Sequence, residues 1–381
     1  MKKFGLKKSL EAIIFLVIFF AIFGYVAHEM SLAHMLNTIM QTSYSLLMET
    51  VFYLMGITVL MGALSALLSE FGVVLLLEKI LRPLMRPLYN LPGVSALAGV
   101  MTFLSDNPAI ISLARDKGFS RFFKKYQLIS LTNFGTAFGM GLVVIAFMAG
   151  KGYGGAATIG LLGAVIGSIV STRFMQHFIL KEYPNYKYEE SEVKASESES
   201  VEEKREDEGA FIRVLNAVLD GGKSGVEIGL AIIPGVLFIS TLVMILTFGP
   251  SASGEYTGAA YEGVALLPFL ADKINFIFEW LFGFTHPELV AFPITSLGAV
   301  GAALGLVPRF IEQGLIDNNA IVVFTAMGMC WSGFLSTHAA MLDALGYRKL
   351  ISKAILSHTI GGFIAGVAGH WLYVAITAIF G

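Results

Sequence analysis

Cysteine is almost missing from this chain: Cys330 is the single one in 381 residues and lies in an apolar run. An internal disulfide and a cysteine-ligated metal cluster are therefore excluded, and the lone thiol reads as a small packed hydrophobe. Charge is scarce too. Asp, Glu, Lys and Arg make up 14% of the residues, against about 25% in an ordinary soluble domain. With 55% hydrophobic residues and a mean hydropathy of +0.72, a soluble protein is excluded. The seven histidines form no HExxH arrangement. Gly221-Gly222-Lys223-Ser224 has Ala217 where a phosphate loop needs its leading glycine, and no strand precedes it. Gly152, Gly154 and Gly155 miss a dinucleotide fingerprint for the same contextual reason. No basic and aromatic patch suggests nucleic acid. No catalytic pair, ATP-driven step or cofactor is indicated, and the chain does not read as an enzyme.

What is present is apolar length. Runs of roughly 20 residues or more recur, each able to cross a hydrocarbon layer about 30 Å thick. A lipid-facing barrel would instead alternate in segments of about ten residues. The expectation is an all-α polytopic membrane protein. Lys2, Lys3, Lys7 and Lys8 precede the first span, Leu10 to Ala27, while Met30 to Tyr44 has no Lys or Arg, which puts the N-terminus in the cytoplasm. No small-residue cleavage site follows that first run, so it reads as a retained helix rather than a signal peptide. Further crossings are expected at Ser45 to Leu77, Leu128 to Ala149, Ala156 to Phe174, Val226 to Phe248, Val264 to Phe284, Ala320 to Met341 and Ile355 to Ile379. Phe211 to Leu219 reads as a short interfacial helix. Residues 182–208 hold 11 acidic and 4 basic residues, a solvated linker. It divides the chain into a first membrane repeat at 1–180, an acidic cytoplasmic linker at 181–210 and a second repeat at 211–381.

Two apolar runs are broken. Leu104-Ser105-Asp106-Asn107-Pro108 sets an acid, an amide and a proline inside Gly93 to Ala114. Such a break leaves backbone groups without helical partners, which hydrocarbon tolerates only where protein or a water-filled cavity covers them. Arg115, Lys117, Arg121, Lys124 and Lys125 follow it, so a re-entrant hairpin satisfies the charge rule better than a full span. His286-Pro287-Glu288 opens the second such run, Leu289 to Val307. Paired interruptions in two halves point to a transporter's central site. Asp106 can bind a cation, a hydroxyl or a proton, and Asn107 offers both donors and acceptors. The bland alternative is that both only cap the helix resuming at Pro108. His286 and Glu288 are the second-half candidates. Asn133 and Thr136 share a face of the following helix, with Ser332, Ser336, Thr337 and His338 in its counterpart. Glu70 reads either as an intramembrane carboxylate coupling an ion or as an interfacial acid of an overlong helix. His358 and His370 read as structural or interfacial.

Ile80-Leu81-Arg82-Pro83-Leu84-Met85-Arg86-Pro87-Leu88, Leu91-Pro92-Gly93, Ser105-Asp106-Asn107-Pro108-Ala109 and Leu131-Thr132-Asn133-Phe134-Gly135 together resemble the nucleoside-recognition or Gate domain. That domain occurs in concentrative nucleoside transporters, ferrous-iron transporters and spore maturation membrane proteins. Phe282-Gly283-Phe284-Thr285-His286-Pro287-Glu288-Leu289, Glu312-Gln313-Gly314 and Trp331-Ser332-Gly333-Phe334 look like a second, more diverged copy. Length and double arrangement resemble the YjiH family of bacterial inner-membrane proteins. The resemblance implies roles for Asn107-Pro108 and Asn133, with His286 to Glu288 and Ser332 as counterparts, and a bacterial cytoplasmic-membrane location. Asp106 departs from the family's Gly or Ser. The reading is a secondary transporter of a small polar solute, nucleoside-like, coupled to H+ or Na+, with membrane lipid and further copies of the chain as partners and no nucleic acid. The alternative is a structural or assembly protein related to the spore maturation branch. A cavity joining Asp106 to His286 would favour transport. Parallel and inverted repeats both remain open.

Overall fold

The computed structural model describes residues 2–191, 209–251 and 253–380; the side chains at 2–7, 108 and 112, and the core of the acidic linker at 192–208, lie outside the described residues. Among the described residues there is no strand, only an isolated bridge between Lys124 and Glu190. In order, the helices are α1 (Lys2–Met30), α2 (Leu32–Ser45), α3 (Phe52–Glu70), α4 (Val73–Leu84), α5 (Ser95–Leu104), α6 (Pro108–Arg115), α7 (Lys117–Ser120), α8 (Lys125–Thr136), α9 (Gly141–Gly150) and α10 (Gly154–Glu182). After the linker come α11 (Ala210–Ala231), α12 (Thr241–Thr247), α13 (Leu266–Asp272), α14 (Asn275–Phe282), α15 (Ala291–Gly298), α16 (Val300–Leu304), α17 (Val307–Glu312), α18 (Asn318–Trp331), α19 (Phe334–Ala344) and α20 (Ile351–Phe380).

Seven stretches among the described residues are long and apolar enough to cross a membrane: Lys8–Met30, Leu32–Glu70, Lys125–Gly150, Gly154–Glu182, Ala210–Thr247, Asn318–Ala344 and Arg348–Phe380. Large side chains such as Phe15, Phe238 and Phe276 are more than 60% exposed. Hydrocarbon is the solvent that suits such a surface.

Several expected boundaries move. Residues 30–44 are not a loop, because Ser31 caps α2 by accepting from the His34 N–H, and helix then continues through a π segment at Leu46–Val51 into α3. It stops at Glu70, where Gly72 takes a positive φ of 73°. Phe211 to Leu219 is no separate surface helix but the start of one Ala210–Thr247 rod, which also carries a π segment at Gly235–Ser240. Val264 to Phe284 is not a crossing: it divides into α13 and α14, of 7 and 8 residues, with Asp272 and Lys273 at the joint. At 1.5 Å per residue neither reaches across.

Glycine sets the two main helix pairs. A Cβ at Gly62 would run into the Gly221 backbone, one at Gly225 into Thr58, and one at Gly229 into Met55. With the Glu70 to Arg213 ion pair at 2.6 Å and a Ser43 to Thr241 hydroxyl contact, this fixes α2–α3 against α11–α12 as antiparallel. Gly163 meets Gly369, Gly167 meets Gly361, and Glu182 pairs with Lys353, so α10 and α20 are antiparallel as well. Matching elements of the two halves therefore run in opposite directions. One end of the bundle gathers Lys124, Lys125, Glu189, Tyr186 and Tyr347; the other gathers the 248–265 loop, Arg309 and the Asn319 to His370 hydrogen bond. The basic stretches 117–125 and 348–353 thus share an end.

The 248–265 loop is fastened by Glu262. Its carboxylate accepts from the Thr257 hydroxyl at 2.6 Å and from the Thr257 and Gly258 N–H groups. Burial alone would push this carboxyl up, but the Thr257 and Gly258 hydrogen bonds outweigh it and hold it below the usual range. Asn37 Nδ2 donates to the Gly258 carbonyl, tying the loop to α2.

Candidate functional site

The first broken segment is where the apolar pattern puts it: α5 ends at Leu104, α6 begins at Pro108, and Ser105 takes a non-helical φ and ψ of −126° and −112°. Its two feet are bound at the linker end. Asn90 Nδ2 donates to the Tyr126 hydroxyl at 3.1 Å and Gln127 to the Asn90 carbonyl, while Ser191 holds the Ser120 carbonyl. The second break is not at His286-Pro287-Glu288. That tripeptide opens a short 3-10 turn at Pro287–Val290. The interruption comes after α15, at Ala299, about one 12 Å helix further on. Glycine and alanine mark it, and such residues do not stand out in this composition. Its feet lie at the loop end, where Asn319 Nδ2 donates to the Phe282 carbonyl at 2.8 Å and Phe310 packs on Phe248.

Two further breaks escaped sequence reading. Leu128 to Ala149 is interrupted between α8 and α9, where Met140 has φ 54°. Ala320 to Met341 is interrupted between α18 and α19, where Gly333 has φ 63°. Neither contains a proline. The only signals were Gly139 and Gly333, in runs already rich in glycine.

Asn107 joins three of these four breaks. It is 5% exposed, and its Nδ2 donates to the Ser332 carbonyl at the end of α18. A Cβ on Gly139 would collide with its Oδ1, and one on Gly333 would lie 3.8 Å from its Nδ2. Its Oδ1 has no protein partner and is turned into the interior. Asp106 is only partly buried, and its Oδ1 accepts from the Asn107 N–H at 2.7 Å. The second carboxylate oxygen is the available acceptor.

Behind this centre runs a directed chain of hydrogen bonds. Asn133 Nδ2 donates to Ser171 Oγ at 3.0 Å and to the Ala354 carbonyl at 3.0 Å. The Ser171 hydroxyl then donates to His358 Nδ1 at 3.0 Å, and His358 Nε2 donates to the Cys330 carbonyl. Donor and acceptor capacity assign the imidazole its Nε2–H tautomer. Cys330 lies two residues before the α18 break, so its carbonyl loses a regular helical partner and His358 replaces it. His358 is thus structural, as expected, and Ser171 is the partner that sequence could not reveal. Thr136 and His338 are fully buried beside this network with no hydrogen-bond partner for Thr136 Oγ1 or either imidazole nitrogen.

Other candidates lie elsewhere. His286 is exposed, and Glu288 is half-buried at the foot of the second segment with Oε2 unpartnered. Ser336 is exposed and bonds back to the Gly333 carbonyl at 3.0 Å; Thr337 does so at 3.2 Å. Glu70 stands at the end of α3, held by Arg213, rather than deep in a span. Among the described residues no group of three or more His, Cys, Asp and Glu could hold a metal.

A cavity of about 260 Å3 adjoins the first break, lined by Ser105 and Leu104, by α3 and α11, and by Val143 of α9. None of Asp106, Asn107 and His286 lines it, so it is not the cavity joining Asp106 to His286 that transport was expected to show. A larger cavity of about 330 Å3 between α4, α5 and α10 is walled by apolar side chains such as Leu81, Val100 and Leu161, and offers a polar solute nothing.

Comparison with known proteins agrees with this architecture. Residues 51–152 match the Gate family, described as nucleoside recognition. No curated protein matches. A doubly substituted CNTnw solved in an outward-facing state aligns at a TM-score of 0.53 and 14% identity, over 85% of this chain and 76% of that one. A singly substituted CNTnw in an intermediate state gives 0.53 at 13% identity, over 97% and 86%. The fold is shared at these identities. The match to the Gate family lies within the first half of the chain and does not extend to the second.

Proposed function

We propose that this chain is a secondary transporter that carries a small polar solute of nucleoside type through the bilayer by alternating access, coupled to H+ or Na+. The observation that carries this reading is the meeting of three helix interruptions on Asn107, next to a cavity that reaches the α3–α11 pair. Interrupted helices present free N–H and carbonyl groups to a ligand without the cost of exposing them to lipid. The Gate match over the first half supports the same chemistry. The structurally similar CNTnw has been solved in outward-facing and intermediate states.

In this mechanism the two broken segments are re-entrant hairpins entering from opposite ends. Asn107 and Asp106 offer amide and carboxylate to the solute, and Asp106 is the candidate for the coupling ion because one of its oxygens is not used by the protein backbone. Asn133 and Ser332 hold the geometry: the first through Ser171 and His358, the second through its carbonyl. Thr136 and His338 are further buried groups with capacity for a ligand. Glu70 fastens α3 to α11. The basic stretches at 117–125 and 348–353 at the shared linker end support a cytoplasmic location for that end.

Proteoliposome uptake tests the reading. Labelled uridine and adenosine should accumulate when a proton or sodium gradient is imposed and not without one. Asp106→Asn should abolish gradient-driven accumulation while leaving exchange of internal for external solute. Accumulation by that variant at every pH would remove Asp106 from the coupling role; no uptake of any nucleoside by the wild type under either gradient would defeat the nucleoside reading.

A further inference from the structure

An apolar slot runs along the back of the first broken segment. It is the cavity of about 330 Å3, walled by Leu77 and Leu81 of α4, by Ala96 and Val100 of α5, and by Leu162 and Val165 of α10. Tyr89 supplies the one side-chain oxygen on this wall, and its hydroxyl is already bonded to Ser168 Oγ at 2.7 Å. Nothing is left there to hold water in place. An apolar cavity of roughly 150 Å3 stays dry and takes up benzene, and this one is about twice that size. Leu84, Leu88 and Leu162 line the slot and are exposed at the same time, so it opens onto the apolar surface that faces lipid.

A positive charge stands at one end. Arg173, exposed on α10, lies three helical turns from Leu162 and on the same face. Its Nε donates to the Leu88 carbonyl at 2.9 Å and its Nη2 to the Pro87 carbonyl at 2.8 Å, which leaves the Nη1 hydrogens for another acceptor. Among the described residues no carboxylate pairs with this guanidinium. The depths fit a lipid. At 1.5 Å per residue Arg173 is about 29 Å along α10 from Gly154, close to the thickness of the hydrocarbon layer. Leu162 is about 16 Å back towards the middle, close to the length of one leaflet's chains.

We propose that the slot binds one anionic phospholipid from the leaflet at the linker end, with its phosphate on Arg173 and one acyl chain between α4, α5 and α10. A planar guanidinium matches phosphate geometry. Lys79 and Arg86, exposed on the same elbow, add charge of the same sign and favour a headgroup with net negative charge. The chain fills the space behind α5, so a lipid completes the wall on which the Asp106–Asn107 tip is carried. The site requires the chain to lie in a bilayer and does not require it to transport anything.

Native mass spectrometry of the delipidated full chain in dodecyl maltoside tests it, with dioleoylphosphatidylglycerol and dioleoylphosphatidylcholine added in turn. One phosphatidylglycerol should be retained about fivefold more tightly than phosphatidylcholine. Glycerol 3-phosphate, which has the charge and no chain, should leave no adduct at the same concentration. Arg173→Gln should remove the preference between the lipids, and Arg173→Lys should keep most of it. Val165→Trp places a ring in the slot and should abolish retention, whereas Ile166→Trp, its neighbour outside the wall, should bind as wild type. Equal retention of the two lipids, a preference that survives Arg173→Gln, or wild-type retention by Val165→Trp would each overturn the site; the Arg173 variants decide it whether or not Val165→Trp folds. Uptake does not enter these readings, so the lipid site and the transport reading can fail separately.

Discussion

Asn107 is one amide doing two structural tasks, closing the end of α18 through the Ser332 carbonyl and filling the space left by Gly139. Asn107→Ala leaves that carbonyl buried and unpaired, a loss of about 1–3 kcal/mol. Thermal unfolding in detergent should show the lower midpoint, and uptake should fall at least tenfold even at temperatures where the variant is folded. Glu262 acts at the same scale on the opposite side of the molecule's function, holding a loop. Its folded carboxyl titrates below its unfolded value, so its contribution is complete above the unfolded value of about 4.3 and disappears as pH falls through the lower folded value. Glu262→Gln should therefore unfold earlier than wild type at pH 7, and the gap between the two midpoints should close as the pH approaches 3. Asn107 was legible in sequence because an acid, an amide and a proline contrast with an apolar run. Ser171 and the Cys330 carbonyl were not, since their role depends on partners 28 to 187 residues away.

Among the elements, the long rods and the breaks obey different signals. The Ala210–Thr247 rod looked like two pieces because Asp220, Lys223 and Glu227 interrupt its hydropathy. In the fold, Asp220, Lys223 and Glu227 all lie on exposed positions of one continuous helix, where charge is tolerated. The breaks at Met140 and Gly333 went unread for the opposite reason: no charged or proline residue marks them, and backbone handedness is invisible in composition. The π segments at 46–51 and 235–240 were equally silent. Where glycine brings backbones together, its purpose was plain in sequence only as a stripe, without a partner. Gly225→Val inserts three carbons where Thr58 backbone already sits, and overpacking of this kind costs about 1–3 kcal/mol or more. The α3–α11 pair should separate, lowering the unfolding midpoint, whereas Gly222→Val, whose Cβ position meets only Val59 at 3.7 Å, should change it little.

For the molecule as a whole, the direction of the two halves was undecided from charge alone. Each counting of spans put one basic stretch on the wrong side, because it assumed that Val264 to Phe284 crosses and that broken segments count alike. The paired helices remove that conflict by gathering both stretches at one end. Alternating access then requires the second broken segment to part from the rod it now grips. Ser240 Oγ donates to the Ala302 carbonyl at 2.8 Å, and a Cβ on Gly301 would press on Ile232. A Ser240→Cys, Ala302→Cys pair treated with an oxidising catalyst should cross-link without substrate and bring uptake to background, with recovery on reduction. Full uptake by the cross-linked protein would mean that these elements never separate.

The two broken segments are mirror images in path but not in substance. Ser105, Asp106 and Asn107 form a wet tip, while Val300, Gly301, Ala302, Ala303 and Leu304 are all buried in a dry one. Opening the wet side hydrates groups that water already suits; opening the dry side strips apolar contacts and is uphill by the hydrophobic effect. In the proposed transport cycle the two segments would then differ in what opening costs, the apolar tip being the more costly to part.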